Sequence, residues 1–161
     1  MAKNAYFYIK QAIRSSLKER MIAWRAGESI ETLDKPTDIG KARMLGYKDK
    51  KGFIMVRVRV VRGGRKRNSR KKGRRSKRQT IRKTLMINYR AVAEQRAQKK
   101  FPNLEVLNSY QIGKDGQHYF FEIILVDPQM PEIKSDKQVN FLCKDSNKNR
   151  ALRGRTSAYR N

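Results

Sequence analysis

One cysteine and one histidine are all that this sequence offers of the residue types that build most metal and catalytic sites. Cys143 alone excludes an internal disulfide and a Cys-rich zinc ribbon within the chain. His118 alone leaves imidazole-based acid and base chemistry with little material. Acids are also scarce: fourteen Asp and Glu stand against forty Lys and Arg, for a formal charge of +26. No stretch approaches the roughly 20 apolar residues of a spanning helix, and no signal-peptide layout opens the sequence. These absences lead us to expect a soluble, intracellular protein with no membrane partner, no cofactor and no enzymatic role.

Positive charge is what the sequence has in excess. Its 161 residues, 38% of them hydrophobic, suit a single domain over 1–161 with one modest core and extensions. A chain of pI near 10.8 repels itself and needs a polyanion. Nucleic acid is favoured over a lipid surface, because each phosphate neutralised also releases counterions.

Periodicity gives the organisation. Tyr6, Ile9, Ile13, Leu17, Met21 and Trp24 recur at steps of three and four, which predicts a helix within 5–26 ended by Gly27 in a left-handed conformation. The consecutive rings Tyr6, Phe7 and Tyr8 are expected to pack, in the core or at an interface, rather than to stack on bases. A polar connector leads to a short helix capped by Thr37 or Asp38 and stopped at Gly46. "FIMVRVRVV", 53–61, alternates as a strand with Ile54, Val56, Val58 and Val60 on one face and Phe53, Met55, Arg57, Arg59 and Val61 on the other. Helical spacing returns over 80–100 and predicts the longest helix of the chain. Strands over 104–112 and 117–126 are joined by "GKDG" as a hairpin. The second is apolar on both faces, so it belongs at the centre of a sheet covered by helices. Beyond Pro131 lie a short apolar piece, "VNFLC", and a basic tail over 146–161.

The material for catalysis is thin. Glu105, Asp115, Glu122, Asp127, Glu132 and Asp136 cluster in the C-terminal half, and a two-metal nuclease would need such groups. Their spacing matches no acidic metal motif, and several fall where a hairpin turn or strand end accounts for them. His118 reads as an edge residue or an RNA contact, and Cys143 as a small buried hydrophobe. The glycines of "RGGRKRNSRKKG" lack the spacing of a nucleotide phosphate loop.

The basic extension over 62–83 is the strongest functional signal. No acid occurs between Lys50 and Ala93, and arginine outnumbers lysine in the extension. Planar guanidinium groups bind phosphate in pairs of hydrogen bonds and stack on bases, which suits folded RNA. At roughly 3.3 Å per residue the extension spans about 70 Å, far more than a strand-to-helix connection in a small domain requires. The expected RNA ligands are Arg57, Arg59, Arg62, Arg65, Lys66, Arg67, Arg70, Lys71, Lys72, Arg74, Arg75, Lys77, Arg78, Arg82 and Lys83, with Arg150, Arg153 and Arg155 as a second group. A basic nucleic-acid chaperone or compaction protein shares this charge pattern.

Four stretches carry a family resemblance: "RMLGYKDKKGFIMVRVRVVRGGRK", "GRRSKRQ", "VAEQRAQKKFPNLEVLNSYQIGKDGQHYFFEIILVDP" and "RALRGRTSA". In content and order they resemble the large-subunit ribosomal protein L fifteen-e family of archaea and eukaryotes. The resemblance implies an α+β fold, a small mainly antiparallel sheet flanked by helices with long basic RNA-binding extensions. It also implies a non-enzymatic constituent of the large subunit, with large-subunit rRNA and neighbouring ribosomal proteins as partners and no small-molecule substrate. The sequence departs from the family in a shorter N-terminal helical region and a tail that stops soon after "TSA". Gln111 and Phe120 also stand where the family often has tryptophan.

Overall fold

Alternating β-branched residues in 53–61 and the apolar run of 118–126 form the two central strands of the sheet. The computed structural model describes residues 4–64, Gly73 and 85–159. In chain order these form helix α1 (Ala5–Ala26), strand β1 (Ile30–Leu33), helix α2 (Ile39–Met44) and strand β2 (Phe53–Val61). Helix α3 (Tyr89–Lys100) and strands β3 (Glu105–Lys114) and β4 (His118–Val126) follow, then a helical turn at Pro131–Lys134 and three short 3-10 turns. The sheet is antiparallel throughout, in the order β1-β2-β4-β3, so the predicted α+β fold is observed.

Each face of the sheet has its own cover. Val56, Val58 and Val60 of β2 join Phe121, Ile123 and Leu125 of β4 beneath Ala93 and Ala97 of α3. Alanines at these positions let the α3 backbone approach the large aliphatic side chains of the sheet. On the other face Met55, Tyr110 and Ile124 pack with Ala42 of α2 and Tyr47. Ile133, Val139 and Leu142 close the end of the sheet around Val126, giving "VNFLC" its place, with Cys143 half-buried at the margin. Met55, Phe120, Ile123, Ile124 and Leu125 are all under 2% exposed, and each contributes about 1.5–3 kcal/mol of burial.

Helix α1 begins at Asn4, whose side chain accepts the Phe7 N–H. Its predicted stripe faces the sheet: Ile9, Ile13, Leu17 and Met21 are half-buried and Trp24 is buried against Phe120. The seat depends on Gly113 at an irregularity in β3, where a Cβ would lie 3.0 Å from the Met21 sulfur.

Five expectations need correction. Gly27 is extended (φ −76°, ψ −170°), because Arg59 donates to the carbonyls of Trp24 and Arg25 and closes the last turn of α1 in another way. Tyr6, Phe7 and Tyr8 are 46, 42 and 59% exposed, so they are not core residues of this chain. Three successive helical residues cover an arc of about 200° and cannot share one face. The polar connector contains β1, a strand too short and too polar for its period to show. Of the helix expected over 80–100, residues 80–84 lie outside the described residues, 85–88 are not helical, and α3 starts at Tyr89, capped by the Asn88 side chain on the Ala91 N–H, its 12 residues fewer than the 22 of α1. The hairpin turn begins at Asp115 rather than Gly113, since its carboxylate accepts the N–H groups of Gln117 and His118.

Candidate nucleic-acid interface

Alternation puts Arg57 and Arg59 on the α1 side of β2, and the register decides what they meet. Glu31, Arg57, Glu122 and Tyr110 are successive cross-strand partners, forming one polar row across all four strands. The Arg57 guanidinium bonds the Glu31 carboxylate and lies 4.4 Å from the centre of the Trp24 ring. Glu122, fully buried, accepts from the Thr37 N–H, the Thr37 hydroxyl and the Tyr110 hydroxyl. Burial raises its pKa above the usual carboxylate range, against the pull of those donors and of Arg57. Two arginines that the sequence suggested for phosphate thus have partners inside the fold.

Arg62 marks the root of the basic extension. Its N–H donates to the Gln117 carbonyl at 2.7 Å. Its guanidinium donates to the Asp115 carbonyl and lies 4.9 Å from the Tyr119 ring centre. The Tyr119 ring lies tilted against that of Tyr89, the first residue of α3, with centres 4.9 Å apart, and the Tyr89 hydroxyl bonds both the N–H and the carbonyl of Gly63. Where the extension leaves the sheet and where the chain re-enters it at α3 are therefore joined at one corner. Arg65, Lys66, Arg67, Arg70, Lys71, Lys72, Arg74, Arg75, Lys77, Arg78, Arg82 and Lys83 lie outside the described residues.

Two buried carboxylates set the C-terminal group in place. Glu94 of α3 accepts from the hydroxyls of Ser109 and Thr156, and Glu105 of β3 accepts from the N–H groups of Asn149 and Arg150. Asn149 has a positive φ of 55°, which turns these two N–H groups toward one carboxylate. The Arg150 guanidinium lies 5.4 Å from the Phe141 ring centre, while Arg153 and Arg155, both exposed, donate to the Ser146 carbonyl. Sequence reading gave Glu94 no role. Its signal was a lone acid between Ala93 and Ala97 on the small-residue face of a helix.

Three other acids of the suspected cluster have structural partners as well, while Glu132 keeps a carboxylate oxygen buried without a hydrogen-bond partner among the described residues. Asp115 caps its turn, and although burial opposes it, the N–H groups of His118 and Gln117 hold its pKa below the usual range. Asp136 receives the ammonium groups of Lys48 and Lys50, which lower its pKa well below that range. Asp127 accepts the Gln129 N–H where β4 ends. Among the described residues no group of three or more His, Cys, Asp or Glu could hold a metal ion, and no helix is long and apolar enough to cross a membrane.

A small α+β core that turns its carboxylates to internal contacts and carries a large surplus of cations is, by class, a basic protein built to sit against a polyanion. The model of the ribosomal L15e family, described as Ribosomal L15, matches residues 5–161. The large ribosomal subunit protein eL15 of Methanocella arvoryzae is 44% identical over 98% of this chain and 85% of its own length. That of Methanospirillum hungatei is 43% identical with the same coverage of both chains. The chain belongs to the ribosomal L15e family.

Proposed function

We propose that this chain is a non-enzymatic structural constituent of the cytoplasmic large ribosomal subunit that binds folded rRNA through its basic extension and C-terminal tail. The observation that carries this reading is the junction of Gly63, Tyr89, Tyr119 and Arg62. It brings the two ends of the basic segment to one corner of the fold, so a connection of this length exceeds what the distance between those ends requires. Arg62, Arg153 and Arg155 stand at the boundary between core and RNA. Arg57 and Arg59 act by holding α1 on the sheet. Neighbouring subunit proteins would meet what the RNA leaves uncovered.

Replacing Arg70, Arg74, Arg75 and Arg78 by glutamine tests this. Binding to a large-subunit rRNA transcript should weaken, and the slope of log K against log salt should become shallower by about three. An unchanged slope would overturn the reading. A free nucleic-acid chaperone is distinguished by sedimentation: it would leave ribosomal particles at high salt, whereas an integrated constituent stays with them.

A further inference from the structure

A cleft of about 610 Å³ opens on β3, an edge strand of the sheet, where α2 and the first turn of α3 approach it. Leu45, Tyr89, Tyr119 and Phe121 give it an apolar and aromatic lining. Lys41 and Arg90 add two cations, and no acid lines it among the described residues. Both cations are fixed by β3. The Lys41 ammonium donates to the Gln111 carbonyl at 3.3 Å, and its ion pair with Asp38 is long, at 3.9 Å. The Arg90 guanidinium donates through Nε to the Ser109 hydroxyl and through Nη2 to Asn108 and Ser157. Its Nη1 has no hydrogen bond among the described residues. Ser109 and Gln111 are two apart on one strand, so the points that hold the cations lie roughly 7 Å apart along the edge.

We propose that this cleft takes one unpaired nucleotide of RNA, with the base among Leu45, Tyr89 and Phe121 and the flanking phosphates on Lys41 and Arg90. The proposal rests on the rRNA-binding reading above and names a site outside the residues assigned there to RNA. An aromatic lining between two cations fits a splayed nucleotide, because the base has a face to stack and each linkage carries a phosphate. An added peptide strand is opposed by the edge itself. The Asn108 side-chain oxygen already accepts the Ser109 N–H, and Lys41 covers the Gln111 carbonyl. The cleft also adjoins the root of the basic extension: Tyr89 lines it and bonds Gly63, and Tyr119 lines it and lies against Arg62. RNA bound at that root is adjacent to the cleft.

The test uses the full chain and a large-subunit rRNA transcript. Gln111 is exposed, and a photoreactive benzoylphenylalanine in its place maps the nucleotide at the cleft by crosslinking. Making that nucleotide abasic should weaken binding of the wild-type chain about 5- to 100-fold with an unchanged salt slope, since the base is removed and the charge is kept. Lys41→Gln should make the slope shallower by about one, and Lys41→Arg should restore it. Circular dichroism melts establish that Lys41→Gln is folded; if it is not, the abasic transcript decides, because it leaves the protein unaltered. If the abasic transcript binds as tightly as the intact one, or if position 111 crosslinks to no RNA, the inference fails. The four-arginine variant of the extension separates this result from the reading beneath it. If the abasic transcript and Lys41→Gln weaken binding while that variant keeps its slope, the rRNA reading of the extension fails and the cleft stands; the reverse pattern overturns the cleft alone.

Discussion

Arg57 and Glu122 stand opposite one another on neighbouring strands, with Trp24 close over the arginine and Thr37 and Tyr110 donating to the carboxylate. This pair is the centre of the polar row that ties α1 and the chain before α2 to an otherwise apolar sheet. Its energetics lead to the first two predictions.

Arg57→Ala should cost about 2–3 kcal/mol, because it leaves Glu122 buried without a neighbouring cation and removes the flat partner of Trp24. The side chain is only 11% exposed, so water replaces little of the loss. The midpoint of guanidinium chloride unfolding measures it. Arg57→Lys should recover less than half, since an ammonium cannot lie flat on the indole. A loss under about 0.5 kcal/mol would place Arg57 outside the stabilising row.

Glu122 should make stability depend on pH in a defined direction. Its folded pKa is raised by burial, so the native state holds the proton more tightly than the unfolded chain does. The contribution is full below the ordinary glutamate value of 4.5 and is lost as pH rises through the folded value. Glu122→Gln should flatten the fall in stability above that pH. Unfolding midpoints from about pH 4 to 8, at constant ionic strength, check this, and parallel curves for the two proteins would refute it.

Gly52 joins the loop after α2 to β2 at a φ of +90°, and a Cβ there would meet Ile133 Cγ1 at 2.7 Å. Gly52→Ala should therefore cost at least about 2 kcal/mol from backbone strain and overlap together. In an Ile133→Ala background the same change should cost about 1 kcal/mol less, as the overlap is gone while the strain remains. A double-mutant cycle by thermal melts gives the coupling. Strictly additive costs would show that overlap contributes nothing.

Glu94→Ala should release the C-terminal turn. Thr156 and Ser109 lose their shared acceptor, at a cost of about 2–3 kcal/mol, and Ser157–Tyr159 loses its link to α3 through Thr156. Trypsin cleavage after Arg155 should then accelerate well before the core unfolds. If cleavage and global unfolding remain in step, Glu94 does not hold the tail.

Where one face of an element alternates or repeats cleanly, the sequence was legible. β2 was placed residue for residue, and the centrality of β4 followed from its apolar run. α3 was overextended because Leu85 continues its spacing, yet that residue is half exposed and the helix begins only after the Asn88 cap. β1 was missed because a four-residue edge strand takes its identity from the strand it pairs with. The candidate site was legible only as charge, which marked Arg57, Arg59, Arg62, Arg153 and Arg155 alike, while the partners each meets lie across strands, at a helix end or in the C-terminal turn.

By itself the sequence determined the excess of positive charge, the near-absence of catalytic residue types and the faces of the principal strands, since each is a property of composition or of local period. Among the described residues, the tertiary structure decided which cations are taken up inside the fold. Glu31 and Glu122 meet Arg57 only through strand register, and Tyr89 meets Gly63 only because α3 returns to the corner where β2 ends. Periodicity assigns a side chain to a face, but its neighbours on that face come from residues distant in sequence, and those neighbours determine whether an arginine holds the protein together or stays at the surface.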